Sequence, residues 1–290
     1  MKVTRRSGRA MGSTLRLTIP GFDDPAADAA WAVVEGTFAG AEADLTRFTA
    51  ASPLSRLNRC AGAWTPVPPR LASALVAAWR AYRLSDGRFD PRIIGALEAA
   101  GERAGVDLPP SPARLLPHQR WLDLDARAGS ARVAAPVDLG GIGKGLALRW
   151  AAASLRRAGV ERFLIAAGGD VVAAGAGPAD RAWVVGLSDP RDPTRAVATL
   201  ELVDAAVATS SIAVRSWRDA AGRLRHHLID PASLEPAEPA WTSVTVVDRD
   251  PAWAEVHSKV GFLAGHGIAR ALRGRRAWWI DASGVVHASP

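Results

Sequence analysis

Segments with the apolar spacing of strands and of helices are mixed along this chain without a regular order. One strand pattern, GSTLRLTI at 12–19, precedes a long helical one, whereas several strand patterns follow one another between 162 and 211. Successive parallel strands need a crossover, usually a helix, between them, and that regular alternation is missing. The pattern therefore predicts an α+β (mixed α/β) fold, in which helices flank a largely antiparallel sheet in a single domain over residues 1–290.

Helical spacing is strongest in segments that also carry start and stop signals. Asp24 suits the cap of the first helix, and Gly87 and Gly159 suit the ends of the next two. The predicted helices cover 24–48, 70–87, 144–159 and 251–267, and hairpins are predicted over 121–136 and 276–289. The segment SPLSRLNRC at 52–60 is predicted to be a turn, and the proline-rich stretch 109–120 a connector.

Composition limits the partners of this chain. Of its 290 residues, 48% are hydrophobic, which is enough for a large core, and the formal net charge is +7. The cations are almost all scattered arginines without a basic block or a zinc-finger signature, so no nucleic-acid partner is expected. Lysine occurs only as Lys2, Lys144 and Lys259. The two internal lysines are therefore candidates for special positions, with chance survival as the alternative.

The sequence also constrains compartment and redox chemistry. It has no run of about 18 apolar residues, so no membrane span is expected. Basic residues near the N-terminus are not followed by an apolar segment, and this favours a cytoplasmic protein over a secreted one. Cys60 is the only cysteine, which excludes an intrachain disulfide and a cysteine-rich metal cluster.

The segment DLGGIGKG at 138–145 places glycines and a lysine directly before a predicted helix. Its spacing fits neither a P-loop nor GxGxxG. The glycines nevertheless let backbone N–H groups approach a ligand, and both the positive end of the helix and Lys144 favour an anion. Asp138 can bind a hydroxyl or a ring N–H, or cap the turn. A phosphate-binding turn and a strand-to-helix turn without a ligand fit this spacing equally well.

Two further polar groups follow strand patterns. Asp170 follows the glycine pair in AAGGDV at 166–171, where it can cap the turn or bind a metal, and a structural role is the more common of these. In HHLIDP at 226–231, His226 and His227 lie beside Asp230. Histidine titrates near neutral pH and suits acid–base chemistry. Adjacent strand residues point to opposite faces, so at most one histidine is expected in a given site. A strand end followed by an Asp-Pro turn explains the motif equally well.

Taken together, eight segments in this order resemble the ApbE family of FAD:protein FMN transferases. No single one is decisive, but they span nearly the whole chain. They are MGST at 11–14, SPLSRLN at 52–58, GRFDP at 87–91, DLGGIGKG at 138–145, AAGGDV at 166–171, VATSS at 207–211, HHLIDP at 226–231 and TSVTVVDRDPAWAEVHSKVGFLAG at 242–265.

The resemblance implies a function for these motifs. Members of the family bind FAD with Mg²⁺ and transfer its FMN half to a threonine of an acceptor protein, releasing AMP. Such phosphoryl transfer depends on positioning and charge neutralisation. By resemblance, His227 would assist proton transfer, Asp230 would shape its turn, and Gly141 and Glu255 would hold the metal. The FAD contacts implied in the same way are Met11, Phe48, Arg88, Phe89, Asp90, Asp138, Lys144 and Ile229, although packing is an equally good explanation for Met11, Phe48 and Phe89.

The last motif departs from the family. The family typically holds Mg²⁺ with an aspartate and, four residues later, a threonine on one helix face. Here Glu255 replaces the aspartate and Lys259 the threonine. Three hypotheses follow: the Lys259 ammonium substitutes for Mg²⁺; Mg²⁺ still binds Glu255 and carbonyls; or Glu255 and Lys259 form an ordinary ion pair worth about 0.3–0.5 kcal/mol in a site that has lost its activity. We expect the metal site to be lost or markedly altered.

The leading hypothesis for function is therefore an FAD:protein FMN transferase with an acceptor protein as its partner. One alternative is a pyrophosphatase that hydrolyses FAD to FMN and AMP. The other is a flavin-binding protein that has kept the fold and lost catalysis. The fate of FAD separates the three, because only the transferase leaves FMN attached to a threonine.

Overall fold

The computed structural model describes residues 2–102, 105–116, 118–219 and 221–289. The helices in these ranges are α1 (Asp24–Leu45), α2 (Pro53–Arg59), α3 (Pro69–Leu84), α4 (Ile94–Ala99), α5 (Gly143–Arg157), α6 (Pro251–Leu263) and α7 (Ile268–Ala271), with short 3₁₀ turns at Pro178–Asp180 and Gly265–Gly267. The strands are β1 (Val3–Ala10), β2 (Ser13–Pro20), β3 (Thr65–Pro66), β4 (Leu122–Asp125), β5 (Ser130–Val133), β6 (Phe163–Ala167), β7 (Asp170–Ala174), β8 (Trp183–Asp189), β9 (Asp192–Leu202), β10 (Ala205–Ser211), β11 (Ser216–Arg218), β12 (Leu224–His226), β13 (Ile229–Asp230), β14 (Glu235–Pro236), β15 (Ser243–Asp248), β16 (Arg276–Ile280) and β17 (Val286–Ala288).

Eight strands form one central sheet in the order β1-β2-β6-β7-β10-β15-β16-β17. Every neighbouring pair in it is antiparallel. Helices α5 and α6 pack against each other and on this sheet, and α1 packs on α5 and β1. The prediction of a mixed α/β fold with a largely antiparallel sheet is confirmed. Of the helices in the described ranges, none combines the length and apolar character needed to cross a bilayer.

The N-cap of helix α1 lies one residue earlier than the sequence pattern indicated. Asp23, not Asp24, is its N-cap, and its carboxylate accepts a hydrogen bond from the N–H of Ala26 at 3.0 Å. The carboxylate of Asp24 instead pairs with Lys2 and Arg6 of the neighbouring hairpin. The cap was misassigned because those partners are distant in sequence.

Residues 52–60 form helix α2, so the prediction of a turn was wrong. Ser52 caps the helix by accepting the N–H of Ser55 at 3.0 Å, and Leu54 and Leu57 are fully buried. The side chain of Asn58 accepts the N–H of Val137 and donates to its carbonyl, both at 2.9 Å. This short helix is therefore stabilised by tertiary packing, and it anchors the chain next to the glycine segment.

The N-terminal strand β1 was not indicated by the sequence pattern. It pairs with β2 from Val3↔Pro20 to Ala10↔Ser13. Met11 and Gly12 form the two-residue turn, with φ of 50° and 71°. Two positive φ values are typical of the turn that matches the twist of a hairpin. The turn projects Met11 away from the sheet, and its N–H donates to Glu42 of α1 at 2.9 Å.

Helices α5 and α6 touch through their backbones near Gly145. A Cβ atom at this position would lie 2.5 Å from the Cα of Ala252 and 2.5 Å from the carbonyl oxygen of Pro251. Real side chains do not approach backbone atoms so closely. Glycine at 145 is therefore required for the first turn of α5 to rest on the first turn of α6.

We expect Gly145→Ala to lower the free energy of unfolding by about 1–3 kcal/mol, because the added methyl must push the two helices apart. Gly36 in α1 provides a matched control, since a Cβ there meets no atom within 4 Å. Gly36→Ala should raise the free energy of unfolding by about 0.4–1 kcal/mol. Urea denaturation of both variants checks the pair of predictions. Equal effects of the two substitutions would contradict the proposed backbone contact.

Candidate active site

A cavity of about 620 Å³ opens where several segments distant in sequence meet. Its wall includes the β1–β2 turn, the chain after α1, the glycine segment before α5, the end of β10 and one face of α6. This volume is within the range of about 300–1,000 Å³ that is typical of small-molecule sites. The cavity is therefore the candidate active site.

The glycine segment forms a tight turn directly before α5, as the sequence pattern predicted. The carboxylate of Asp138 accepts the N–H of Gly140 at 3.2 Å, and the N–H of Gly143 donates to Leu139 at 2.8 Å. Gly140 and Gly141 line the cavity, and α5 begins at Gly143. The positive end of α5 and the glycine backbone therefore face the cavity together, which favours an anionic ligand.

Three charged side chains, Lys144, Asp170 and Glu255, form a cluster at the base of the cavity, called here the Lys144 cluster. The ammonium of Lys144 lies 2.5 Å from Oδ2 of Asp170 and 2.7 Å from Oε1 of Glu255. The remaining carboxylate oxygens accept backbone N–H groups: Glu255 from Gly145 at 2.8 Å and Asp170 from Thr209 at 3.1 Å. Each of the four carboxylate oxygens therefore has a partner within the protein.

Burial and charge compete within the Lys144 cluster. Burial alone would lower the pKa of Lys144, but the charges of Asp170 and Glu255 outweigh it and raise that pKa. Burial also raises the pKa of Asp170 against the opposing pull of Lys144. We take the cluster as ionised at neutral pH, because Lys144 has two carboxylate partners and Asp170 also accepts a backbone N–H.

Lys259 also lines the cavity but has a different environment. Its Nζ lies against Gly141, where a Cβ would collide with it, and 5.9 Å from the centre of the Phe89 ring. Among the described residues, the ammonium of Lys259 has no hydrogen-bond acceptor and no ion-pair partner. The Glu255–Lys259 ion pair considered from the sequence does not form, because Glu255 binds Lys144. Burial lowers the pKa of Lys259, although Asp138 and Glu255 oppose this effect. Lys259 therefore lies in the cavity wall with the Phe89 ring beside it and, in the described ranges, no carboxylate within ion-pair distance.

A buried arginine, Arg47, borders the cavity next to Phe48. Its side chain is only 2% exposed, and it lies 2.8 Å from Glu102 and 3.4 Å from Asp138. Its guanidinium stacks on the ring of Phe48 at 4.4 Å. Sequence reasoning missed Arg47, because one arginine among many scattered ones carries no signal. Arg47 places a positive charge near Asp138 and packs against the aromatic wall.

Only one of the two adjacent histidines faces the cavity. His226 is buried, and its ring binds the carbonyl of Ala237 at 3.0 Å. His227 lines the cavity, with Nδ1 3.1 Å from the carbonyl oxygen of Arg215. Burial, together with the positive charges of Lys259 and Arg215, lowers the pKa of His227 to about 3. His227 is therefore neutral at physiological pH and able to accept a proton.

The remaining residues singled out in the sequence fall into two groups. Among the predicted site residues, those that line the cavity, besides Lys144 and His227, are Met11, Phe48, Asp138, Gly141 and Glu255. The other predicted residues do not line the cavity. Arg88 is exposed, and Phe89, Asp90 and Ile229 are buried, Phe89 beside Lys259 and Ile229 in β13. Asp230 accepts the N–H of Ala232 at 2.9 Å in the turn after β13.

Asp90 has a structural partner that explains its position. Its Oδ2 lies 2.7 Å from Nη2 of Arg92, and its Oδ1 accepts both the backbone N–H and Nε of the same residue. Both side chains are nearly inaccessible to solvent. The structure therefore places Asp90 in a buried ion pair and does not bring it to the cavity.

The donor set of the cavity is a poor fit to Mg²⁺. This ion takes about six oxygen ligands at about 2.0–2.1 Å in octahedral geometry. The oxygens of Glu255 and Asp170 already accept N–H groups, and the Lys259 ammonium adds a positive charge beside Gly141. Within the described ranges, no group of three or more acidic, histidine or cysteine side chains is arranged to hold a metal.

The sequence profile of the ApbE family matches residues 11–278. The chain belongs to the ApbE family. The match to the ApbE profile begins at Met11 in the β1–β2 turn and ends in β16, so it includes all the described residues that line the cavity.

Individual ApbE relatives agree with the profile. An FAD:protein FMN transferase of Salmonella typhimurium is 25% identical over 258 residues, which cover 83% of this chain and 72% of the relative. The structure of an ApbE protein from Thermotoga maritima superposes with a TM-score of 0.86 at 24% identity, covering 99% of this chain and 97% of that one. The apo form of the flavinyl transferase ApbE from Pseudomonas stutzeri gives a TM-score of 0.83 at 27% identity, covering 99% and 95%. The architecture of this chain is therefore that of solved ApbE proteins.

Proposed function

We propose that this chain is an FAD:protein FMN transferase, which moves FMN from FAD to a threonine hydroxyl of an acceptor protein and releases AMP. The observation that carries the proposal is the composition of the cavity. A glycine turn at the start of α5, an ammonium beside it and a neutral histidine line one space in a protein with the ApbE fold. The relative from Salmonella typhimurium has this named activity.

The transfer step exchanges one P–O bond for another. The threonine oxygen bonds to the flavin-side phosphorus of FAD, and the bond from that phosphorus to the bridging oxygen breaks. AMP leaves with the bridging oxygen, and the hydroxyl proton passes to the acceptor nitrogen of His227. Because its pKa is held near 3, His227 is unprotonated at neutral pH, and this weak base accepts the proton as the threonine oxygen bonds to phosphorus.

Other residues of the cavity hold FAD in this proposal. Gly141 and the positive end of α5 line the part of the cavity where the pyrophosphate would lie. Phe48 and Met11 contact the flavin, and Asp138, near Arg47, accepts a hydrogen bond from a hydroxyl or a ring N–H. Lys144 keeps the carboxylates of its cluster in place below the pyrophosphate.

A mass spectrum of a threonine-bearing acceptor domain tests the proposal. The domain is incubated with this protein and FAD, once with Mg²⁺ and once with EDTA. The expected result is a mass gain equal to FMN less water, accompanied by AMP. Free FMN and AMP without modified acceptor would instead identify a pyrophosphatase. Unchanged FAD, with an acceptor that another transferase can modify, would identify a flavin-binding protein without catalysis.

Several sequence-based predictions accompany this function. We propose one domain over residues 1–290, since the central sheet includes both β1 and β17. FAD is the proposed substrate and a threonine-bearing protein the proposed partner. A cytoplasmic location and the absence of a nucleic-acid partner stay predictions from composition and from the N-terminal pattern.

A further inference from the structure

The cations of the cavity differ in whether they are already neutralised. Among the described residues, the lysine and arginine side chains that line it are Arg47, Lys144, Arg215 and Lys259. The two arginines share the carboxylate of Glu102, and Lys144 is held between the two carboxylates of its cluster. Of these four cations, Lys259 alone has no carboxylate within ion-pair distance among the residues that the structure describes. It is therefore the cation of the cavity wall whose charge is available to a ligand.

The position of this ammonium agrees with such a role. Nζ of Lys259 rests against Gly141, on the glycine turn that precedes the positive end of α5. The ring of Phe89 lies on its other side, 5.9 Å away, and offers no anionic partner. An anion bound beside Gly141 at the positive end of α5 would lie next to the ammonium. Gly141 is also a residue that, by the family resemblance, would contribute a carbonyl to a metal ion.

We propose that the Lys259 ammonium replaces the divalent cation in this chain and neutralises the pyrophosphate of FAD directly. This inference rests on the proposed function, because it takes FAD as the ligand. Charge agrees with this role: the Lys144 cluster has one ammonium for two carboxylates, so without the Lys259 ammonium this side of the cavity would carry a net negative charge that repels an anion. The oxygens of Glu255 are already held by Lys144 and Gly145, so they do not need a metal ion as a partner.

The test measures FAD binding by the fluorescence of the full-length protein and FAD, in EDTA and then with added Mg²⁺, without any acceptor protein. The parent protein should bind FAD in EDTA, and Mg²⁺ should change its Kd by less than about threefold. Lys259→Met should weaken binding in EDTA by about 30-fold or more, because the anion loses its charged partner. Mg²⁺ should not restore the affinity of this variant.

Two further variants sharpen the result. Lys2→Met removes the same charge from an exposed residue that pairs with Asp24 on the surface, and should leave the Kd of FAD unchanged. The double variant Glu255→Asp, Lys259→Thr restores the residue types that the family typically has. It should bind FAD weakly in EDTA and regain about tenfold or more in affinity when Mg²⁺ is added. Thermal melting establishes that each variant is folded before its Kd is measured.

The outcomes separate the two proposals. The role of Lys259 would be overturned if Mg²⁺ raised the affinity of the parent protein for FAD tenfold or more. It would also be overturned if the Lys259→Met variant bound FAD in EDTA as the parent does. Neither result would contradict the transferase activity. Lysine-dependent binding in EDTA without transfer to a competent acceptor would uphold the role of Lys259 and overturn the transferase. Absence of FAD binding in every buffer would overturn both.

Discussion

Lys144→Met should lower the free energy of unfolding by about 3–5 kcal/mol, because it leaves two carboxylates close together in the interior without their cation. The side chains of Asp170 and Glu255 are only 4% and 8% exposed, so solvent screens the repulsion between them only weakly. Urea denaturation at neutral pH measures the loss. Lys2→Met removes the same charge from an exposed pair and should change stability by less than about 1 kcal/mol.

The pH dependence of this loss has a definite sign. Without Lys144, one of the two carboxyl groups has a raised pKa in the folded state, so the folded variant binds more protons than the unfolded chain as the pH falls. The difference in stability between parent and variant should therefore shrink between about pH 7 and pH 5. Glu255→Gln, added to Lys144→Met, should also reduce it. A loss below about 1 kcal/mol, or one that grows on acidification, would contradict the arrangement of the Lys144 cluster.

His227→Gln should lower the rate of FMN transfer by about 10²–10⁴-fold while changing the Kd of FAD little, because the proton acceptor is lost and the cavity keeps its shape. In the parent protein, the pKa of His227 is lowered to about 3 from its ordinary value of 6.5. A base must be unprotonated to act, so the rate should show no loss from this group between about pH 5 and pH 8. The pH profile of kcat/KM tests this.

Lys259→Met provides the companion measurement for His227. Its ammonium is one of the charges that lower the pKa of the imidazole, so its removal should raise that pKa toward the ordinary value. The residual transfer activity of the variant should then fall at a higher pH than that of the parent as the solution is acidified. An unchanged profile in the variant would contradict the influence of Lys259 on the pKa of His227, and an acid limb near pH 6.5 in the parent would contradict the lowered pKa itself.

The sequence determined the architecture more fully than the site. Strand patterns that follow one another without helices correctly predicted an antiparallel sheet, because the period-two spacing is a local property. Helix α2 was missed because its seven residues are too few for a periodic signal, and because its stability comes from buried leucines and from Asn58. Strand β1 was missed because its alternate polar residues are mostly arginines, which resemble a basic tail.

The contacts within the cavity could not be predicted from short sequence patterns, because they join residues that are far apart in the chain. Lys144 is 26 residues from Asp170 and 111 residues from Glu255, and only the packing of α5 on α6 brings them together. Family resemblance pointed to Lys144 and to the position of Lys259, and both side chains line the cavity. It also pointed to Asp90, which the structure pairs with Arg92 two residues away. The residue type of Asp90 predicted a carboxylate that binds a polar partner, but not whether that partner is FAD or Arg92.

The contact at Gly145 also determines how a substrate can enter. The first turns of α5 and α6 touch backbone to backbone there, and the N–H of Gly145 binds Glu255. The two helices therefore act as one rigid floor, which cannot spread without breaking the contacts beneath Lys144. Phe48 and Val214 also line the cavity and are 44% and 84% exposed, so this part of its rim is open to solvent. In the proposed transferase, the acceptor protein would dock there and deliver its threonine toward the floor.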